Sequence, residues 1–333
     1  MERRPLGPDG PDVSALGIGA MSFADFYGAT SEADSHAILD AALDAGVDHI
    51  DTSNVYGMGR SETAIGTWLA RYRGKGGLPF RIATKAGITK DSEGRRTFDN
   101  GTGHLRTELE MSLKRLGVDR IDLFYVHRRD PAIEIEAVTE ALAGLVSAGK
   151  IARFGFSEIS PASLRRASAV HPVAAVQSEY SLQTRLPDLG LVQACEDLGT
   201  ALVAFSPVGR GMLTDAPPTP ERVAAAPFLS SNPRFTGGNL ERNVAASAPL
   251  RALASDLGTS TASLAIAWCL ARSPRVLAIP GTRSTAHFAE LVAGAELRLS
   301  AETMAEIERR LPPGWAHGDR YARAQSVGPE GYC

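Results

Sequence analysis

Four residues whose side chains can hold or transfer protons follow strand-like runs in the first half of the chain. Asp51, Lys85 and His127 each come at or just after the end of a separate apolar or β-branched run, and Tyr56 follows Asp51 closely. In a parallel α/β fold, the C-terminal ends of the strands meet on one face, where catalytic residues are usually found. A carboxylate, an ammonium, an imidazole and a phenol on that face predict a proton-transfer site.

The expected chemistry is assistance of hydride addition to a carbonyl group. Tyr56 would donate a proton to the carbonyl oxygen, and the Lys85 ammonium is expected to lower the pKa of Tyr56 from its ordinary value of about 10. Asp51 would hold Lys85 in place, and a neutral His127 would donate a hydrogen bond to the developing oxyanion. Each residue also has a structural explanation, as a turn former or a packed core residue, so the pattern alone leaves the reaction open.

The order of the predicted elements indicates the fold. Short apolar runs alternate with amphipathic helical patterns, which is typical of parallel βαβ units. Eight such units predict a closed (β/α)8 TIM barrel, formed by residues 1–333 as a single domain. Ser31, Ser160 and Ser284 are predicted to begin helices as N-caps. The predicted strands are residues 14–19, 47–50, 80–84, 121–126, 201–205 and 276–279, with two more ending near Ser157 and Gln177.

Three polar or Pro- and Gly-containing segments are longer than ordinary connections: residues 89–103, 208–243 and the tail 312–333. The first two follow strands, so we expect them on the catalytic face. Long irregular loops in compact domains are often functional. All three segments are therefore candidate walls of a substrate pocket.

Composition excludes several other classes of protein. The chain has 333 residues and a formal net charge of -3, which gives no electrostatic reason to expect nucleic acid or an anionic membrane as a partner. No run is apolar and long enough for a signal peptide core or a transmembrane helix. Three scattered cysteines form neither a metal-binding nor a disulfide pattern, which favours the cytoplasm and no metal. The sequence has no heptad pattern, so it does not indicate the oligomeric state.

Seven segments together carry a resemblance to a known family. They are DTSNVYG at 51–57, ATK at 83–85, LFYVHR at 123–128, GFSE at 155–158, VQSEYS at 176–181, FSPVGRG at 205–211 and IPGTR at 279–283. In order, spacing and position relative to the strands, the chain resembles the aldo-keto reductases over nearly its whole length. The sequence around 233–243 is similar to the branch that contains bacterial and plant aldo-keto reductases and potassium-channel β-subunits.

The resemblance implies an NADPH-dependent oxidoreductase that reduces an aldehyde or ketone to an alcohol. It implies a TIM barrel with NADP(H) extended across its top, and it places the catalytic tetrad at Asp51, Tyr56, Lys85 and His127. The cofactor contacts implied are Gly19, Ala20, Met21, Asp51, Ser157, Glu158, Gln177, Phe205, Ser206, Pro207, Val208, Gly209, Arg210, Gly211, Leu213, Ile279, Gly281, Thr282, Arg283, His287, Glu290 and Leu291.

A preference for NADP over NAD follows from one end of this set. Ser284 is predicted to begin a helix, whose free N–H groups attract anions, and Arg283 beside it supplies a permanent charge for a 2′-phosphate. The chain departs from many relatives in having Phe205 rather than tyrosine. His287 and Leu291 also replace residues that commonly meet adenine, which weakens the expected adenine contacts.

The substrate pocket is predicted around the tetrad. Its candidate residues are Phe23, Phe26, Tyr27, Tyr56, His127, Arg128 and Trp315. Core packing is the competing explanation for the aromatic residues, and pairing with Asp130 is the competing one for Arg128. Two other functions stay open at this point. One is an NADP(H)-binding regulatory or interaction protein with little turnover, and the other is a lyase that uses Lys85 as a Schiff-base nucleophile.

Overall fold

The computed structural model describes residues 1–332, which contain twelve β-strands. In chain order they are β1 Arg3–Pro5, β2 Asp12–Ser14, β3 Ile18–Gly19, β4 His49–Asp51, β5 Arg81–Ala86, β6 Ile88–Lys90, β7 Arg96–Phe98, β8 Ile121–Val126, β9 Ile151–Ser157, β10 Ala175–Glu179, β11 Ala201–Phe205 and β12 Val276–Ala278. Eight of them form one parallel sheet in the order β3-β4-β5-β8-β9-β10-β11-β12.

The two ends of this sheet are joined by backbone contacts. Leu16 pairs in parallel with Ala278. The Ala278 amide donates to the Ala15 carbonyl at 2.9 Å, and the Gly19 amide donates to the Pro280 carbonyl at 2.9 Å. The sheet therefore closes on itself, and the predicted (β/α)8 barrel is confirmed.

The first barrel strand is shorter than predicted, and it lies very close to its neighbours. A Cβ atom on Gly19 would lie 2.5 Å from the Ile279 carbonyl oxygen, and one on Gly17 would lie 2.1 Å from the His49 ring. Glycine is needed where backbone approaches this closely. Where residues 14–19 were predicted, the barrel strand spans Ile18–Gly19 and is preceded by a single bridge at Leu16.

The helices pack their apolar faces against the outside of the barrel in one large cluster. Ser31 forms a capping box, and the side chains of Ser160 and Ser284 accept N–H bonds from the first turns of their helices, which confirms all three predicted N-caps. No helix in residues 1–332 has both the length and the apolar character needed to cross a membrane. The helices are α1 Glu32–Asp44, α2 Arg60–Leu69, α3 Thr102–Leu116, α4 Ile135–Ser147, α5 Pro161–Val170, α6 Leu191–Leu198, α7 Pro220–Ala224, α8 Pro227–Ser230, α9 Asn239–Ala246, α10 Ala248–Asp256, α11 Thr261–Ala271, α12 Thr285–Glu296 and α13 Ala301–Arg310, with 3-10 helices at Ala20–Ala24, Ala70–Tyr72, Leu186–Asp188, Gly209–Gly211 and Pro233–Phe235.

The β1–β2 hairpin closes the N-terminal end of the barrel and was not predicted. Leu6 and Val13 pack in one cluster with inward-facing residues of the barrel strands such as Leu123 and Val203. The Arg4 guanidinium donates to three backbone carbonyls that precede or form β12. With this end plugged, the C-terminal ends of the strands form the open face.

The long segments contain regular structure. The first includes most of the β6–β7 hairpin, which begins at Ile88 and whose turn is held by the Asp91 carboxylate accepting the Glu93 and Arg95 amides at 2.9 Å. Residues 208–243 fold into short helices. Part of the tail returns to the strand ends, where Arg320 pairs with Glu158 and Tyr332 contacts Ser178.

Candidate active site

Asp51 and Lys85 form a buried ion pair at the C-terminal ends of β4 and β5. The Lys85 ammonium bonds one oxygen of Asp51 and also donates to the Thr52 carbonyl at 2.8 Å. The Gln177 amide donates to the other Asp51 oxygen at 2.7 Å. Burial lowers the pKa of Lys85, and the Asp51 charge opposes that change. Burial likewise raises the pKa of Asp51 against the opposing effect of Lys85. Each charge is therefore held in the barrel by the other.

Tyr56 lies on the loop after β4, directly beside this pair. Its hydroxyl oxygen is 3.5 Å from the Lys85 Nζ atom. Phe26 and His127 flank the Tyr56 ring, each in an edge-to-face contact with 5.9 Å between ring centroids. The phenol is thus fixed between an ammonium on one side and an imidazole on another.

The lowering of the Tyr56 pKa that was expected from Lys85 is outweighed by burial. Burial raises the pKa of Tyr56, the Asp51 charge raises it further, and the opposing effect comes from Arg128. The Lys85 ammonium is paired with Asp51, whose negative charge acts on Tyr56 in the opposite direction, so desolvation dominates. Tyr56 consequently stays protonated and able to donate at neutral pH.

His127 follows β8 and is held by both its backbone and its ring. Its amide donates to the Ala86 carbonyl at 2.7 Å, and its Nδ1 atom is 3.1 Å from the Ser53 hydroxyl. Burial, with Arg128 and Lys85 next in order, holds the pKa of His127 well below its usual range. The ring is therefore neutral, with Nε2 as the nitrogen available to a ligand. Ser53 was not identified from the sequence as a partner of His127. The sign that could have shown it is a hydroxyl residue two positions after Asp51, at the same strand end.

A cavity of about 790 Å³ opens over these residues. That volume falls within the range of roughly 300–1,000 Å³ that is usual for small-molecule and cofactor sites. Lys85 lies behind the cavity wall and has no exposed surface. The predicted cofactor residues that line the cavity are Gly19, Met21, Asp51, Ser157, Gln177, Phe205, Ser206, Pro207, Val208, Arg210, Gly211, Ile279, Gly281, Thr282, Arg283, His287, Glu290 and Leu291.

Four predicted cofactor residues do not line the cavity: Ala20, Glu158, Gly209 and Leu213. Ala20 and Leu213 are fully buried in hydrophobic packing. Gly209 faces inward, because a Cβ atom there would lie 2.7 Å from the Gln183 side chain.

Glu158 is turned away from the cavity by its own bonding. One of its carboxylate oxygens accepts the Glu179 amide at 2.9 Å, and the other pairs with Arg320 of the tail. The residue has a positive φ of 60°, a conformation that is uncommon outside glycine. Its carboxylate therefore anchors the tail to the barrel.

The predicted substrate residues divide into two groups. Phe26, Tyr27, Tyr56, His127 and Arg128 line the cavity. Phe23 and Trp315, which were also predicted to contact the substrate, do not line it. Phe23 is 1% exposed and belongs to the core, and the Trp315 indole donates to the Leu182 carbonyl at 2.8 Å.

Several other lining residues were not singled out from the sequence, and among them are Arg96, Arg222, Phe228, Tyr321 and Gln325. All five come from the long segments that were predicted to wall the pocket, but nothing in their local pattern marked the individual positions. Arg128 does not pair with Asp130, whose carboxylate instead accepts the Ala132 amide at 2.9 Å.

One end of the cavity is built from the start of α12. Ser284 caps this helix, and the Arg283 guanidinium donates to the Ala29 carbonyl at 2.7 Å. This bond joins the end of β12 to the loop after β3. Helix N-termini attract anions, and a guanidinium adds a permanent positive charge. No group of three or more histidine, cysteine or acidic side chains in residues 1–332 is placed to hold a metal ion.

Comparison with known proteins agrees with this arrangement. The sequence model of the Aldo/keto reductase family matches residues 15–311. Aldo-keto reductase yakc (NADP(+)) of Schizosaccharomyces pombe is 36% identical over 322 residues, which cover 96% of this chain and 94% of the relative. Aldo-keto reductase str7 of Strobilurus tenacellus is 38% identical over 320 residues, 93% of each chain.

A solved structure shows the same fold. The glycerol dehydrogenase from Gluconobacter oxydans superposes with a TM-score of 0.79 at 26% sequence identity, covering 94% of this chain and 96% of that one. A family match over most of the chain, two relatives above 30% identity and a shared barrel agree with one another. The chain belongs to the aldo/keto reductase family.

Proposed function

We propose that this protein is an NADPH-dependent reductase that converts an aldehyde or ketone to an alcohol, with Tyr56 as the general acid. The observation that carries the proposal is the Tyr56 hydroxyl, 3.5 Å from a buried ammonium and packed against a neutral imidazole at a cavity wall. A donor in that position can protonate an oxygen placed over it. NADPH oxidation in the presence of sugars, aromatic aldehydes, pyridoxal, methylglyoxal and ketones tests the function.

The cavity fits an anionic dinucleotide. Glycine at 281 lets two segments of the cavity wall pack closely, since a Cβ on Gly281 would lie 2.7 Å from the Gly19 carbonyl oxygen. Arg283 and the N-terminus of α12 supply an anion site for a 2′-phosphate. The lining carries more positive than negative side chains, with arginines 96, 128, 210, 222 and 283 against Asp51, Asp215 and Glu290. Ser157 and Gln177 would hold the carboxamide, and Phe205 would stack on the nicotinamide.

Each residue of the tetrad has a separate role in the reduction of the carbonyl group. NADPH, when bound, supplies the hydride that adds to the carbonyl carbon. Tyr56 passes its hydroxyl proton to the carbonyl oxygen as negative charge develops there, and neutral His127 donates a hydrogen bond to the same oxygen. The Lys85 ammonium stabilises the phenolate that remains, and Asp51 fixes the ammonium in place. Lys85 is not consumed in this scheme.

The structure offers no support for the lyase alternative. A Schiff-base lysine must reach its substrate, but Lys85 is 0% exposed and is bonded to Asp51 and Thr52 behind Tyr56. The regulatory alternative predicts cofactor binding without turnover, so the same NADPH-oxidation measurement distinguishes it.

We also propose that the chain acts as one domain in the cytoplasm. The three long segments contribute to one cavity, which supports a single functional unit. Cys195 and Cys269 are buried free thiols, as expected in a reducing compartment.

Carbonyl reduction should depend little on pH near neutrality. The active form of His127 is neutral and is lost only as pH falls through its lowered pKa. The active form of Tyr56 is protonated and is lost only as pH rises through its raised pKa. We therefore expect kcat/KM to vary less than about two-fold between about pH 6.5 and 8.5. An ionisation with a midpoint near neutrality in the pH profile of kcat/KM would contradict these assignments.

Arg283→Ala should weaken NADPH selectively. Loss of a charge-assisted contact to the 2′-phosphate should raise the KM for NADPH by about 10- to 100-fold and leave the KM for NADH within about two-fold. Steady-state kinetics with both cofactors measure this difference. Arg298→Ala is a matched control, because Arg298 is 65% exposed and pairs with Glu2 on the surface. Equal KM values for the two cofactors, unchanged in Arg283→Ala, would exclude the 2′-phosphate site.

A further inference from the structure

Two arginines beside the tetrad have no acidic partner among residues 1–332. Arg128 is 7% exposed, and its bonds go to neutral acceptors, the His127 carbonyl at 2.6 Å and the Ser157 hydroxyl at 2.9 Å. Its Nε atom is buried without a hydrogen-bond partner in residues 1–332. Arg96 on β7 also lines the cavity, and its guanidinium lies over the Phe98 ring, 5.3 Å from the ring centroid.

The two guanidinium groups lie within electrostatic range of each other and of the reacting groups. Desolvation, and then the Arg128 charge, lower the pKa of Arg96. Arg128 and Arg96 both contribute to the lowered pKa of His127. Both arginines line the same cavity as Tyr56 and His127.

The nearby acidic group is already engaged. Glu158 lies within electrostatic range of Arg128, but its oxygens are bonded to Arg320 and to the Glu179 amide. The other arginines that line the cavity have different surroundings. Arg210 pairs with Glu179 at 2.7 Å, Arg283 lies beside α12, and Arg222 is exposed on α7.

Burying a positive charge without a counter-charge is costly, and the cost is recovered when an oxyanion binds. A guanidinium offers five N–H donors, so Arg128 retains donors for a ligand after its bonds to His127 and Ser157. Arg96, which is exposed on β7 and lines the same cavity, can supply further donors. Donors of this kind suit a carboxylate or a phosphate group.

We propose that the substrate carries an oxyanionic group, a carboxylate or a phosphate, which Arg128 and Arg96 bind while its carbonyl group faces Tyr56 and His127. This inference rests on the proposed function and specifies its substrate class. The reaction itself is unchanged: the hydride adds to the carbonyl carbon, Tyr56 protonates the oxygen, and the anionic group takes no part in bond making.

The test compares anionic aldehydes with neutral partners of similar shape. One pair is 4-carboxybenzaldehyde and methyl 4-formylbenzoate, and the other is glyceraldehyde 3-phosphate and glyceraldehyde. For each pair, the ratio of kcat/KM for the anionic over the neutral aldehyde is measured with NADPH at saturation. Using the ratio removes any general loss of activity in a variant.

Arg128→Gln should lower this ratio by about 10- to 100-fold, mainly through KM for the anionic aldehyde, because a buried charge-assisted contact is lost. Arg96→Gln should lower it by about 3- to 10-fold, since Arg96 is more exposed, and Arg96→Lys should retain part of the effect. Arg95→Gln is the matched control on the same hairpin, where Arg95 pairs with Asp91 and Glu93 outside the cavity. If Arg128→Gln does not fold, Arg96→Gln carries the test.

The outcomes separate this inference from the proposed function. A fall in the ratio for the carboxylate pair alone, or for the phosphate pair alone, supports the proposal and identifies the anion. Neutral aldehydes reduced normally, with ratios unchanged in both arginine variants, would overturn the oxyanion site and leave the reductase function standing. No reduction of any of the four aldehydes would overturn this inference, and the wider panel of sugars, pyridoxal, methylglyoxal and ketones then decides whether the proposed function fails as well.

Discussion

Tyr56→Phe should abolish carbonyl reduction while leaving NADPH binding within about two-fold of the unaltered protein. The substitution removes the hydroxyl that lies 3.5 Å from Lys85 and keeps the ring that packs against Phe26 and His127. Loss of a positioned general acid costs roughly 10²- to 10⁴-fold in rate. The measurement is kcat for an aldehyde that the unaltered protein reduces, with NADPH affinity determined separately by fluorescence titration.

A second tyrosine provides the control for this substitution. Tyr72 packs against Trp68 on the outside of the barrel, with 4.8 Å between ring centroids. Tyr72→Phe should therefore retain normal turnover. Near-normal turnover in Tyr56→Phe would reject Tyr56 as the acid, and loss of NADPH binding in that variant would show that its effect is not on proton transfer.

Lys85→Met should lose both activity and stability. The change leaves the Asp51 carboxylate buried without its ammonium, and breaking a buried pair in this way costs about 3–5 kcal/mol. It also removes the charge that stabilises the phenolate of Tyr56. Equilibrium denaturation in urea measures the free energy of unfolding, and an NADPH-oxidation assay measures the activity.

The double variant Asp51→Asn with Lys85→Met separates the two effects. Removing both charges should restore most of the free energy of unfolding, because no unpaired charge remains, yet activity should stay as low as in Lys85→Met. Asp197→Asn is a matched surface control, since Asp197 pairs with Arg165 and the two side chains are 42% and 49% exposed. An unchanged unfolding free energy in Lys85→Met would refute the buried ion pair, and recovery of activity in the double variant would refute the role of Lys85 in catalysis.

The barrel was predictable because its signals are local. Strand ends are marked by a change from apolar to polar residues, and N-caps such as Ser31 and Ser160 are marked by their own hydroxyls. The β1–β2 hairpin lacks such a signal. Its strands have three residues each, and it is fixed by contacts such as those between Arg4 and the carbonyls near β12, far away in the sequence.

Site residues could be located from the sequence where they lie at the inward-facing ends of strands. Asp51 and Lys85 face the barrel interior through the register of β4 and β5, in which Asp51 is paired with Ala83. Glu158 could not be placed in this way, because its direction is set by Arg320, 162 residues later. Phe23 lies within the 3-10 helix Ala20–Ala24, and Phe26 follows Asp25, whose positive φ of 61° ends that helix, so residue type alone cannot distinguish the two.

The central claim is that the protein uses NADPH to reduce a carbonyl group with Tyr56 as the proton donor. The most direct measurement mixes the purified protein with NADPH and an aldehyde, and follows NADPH loss and alcohol formation together. We predict equal amounts of NADPH consumed and alcohol produced, with both abolished in Tyr56→Phe. Tight NADPH binding with no consumption across aromatic aldehydes, sugars, pyridoxal, methylglyoxal and ketones, charged and neutral, would contradict the claim.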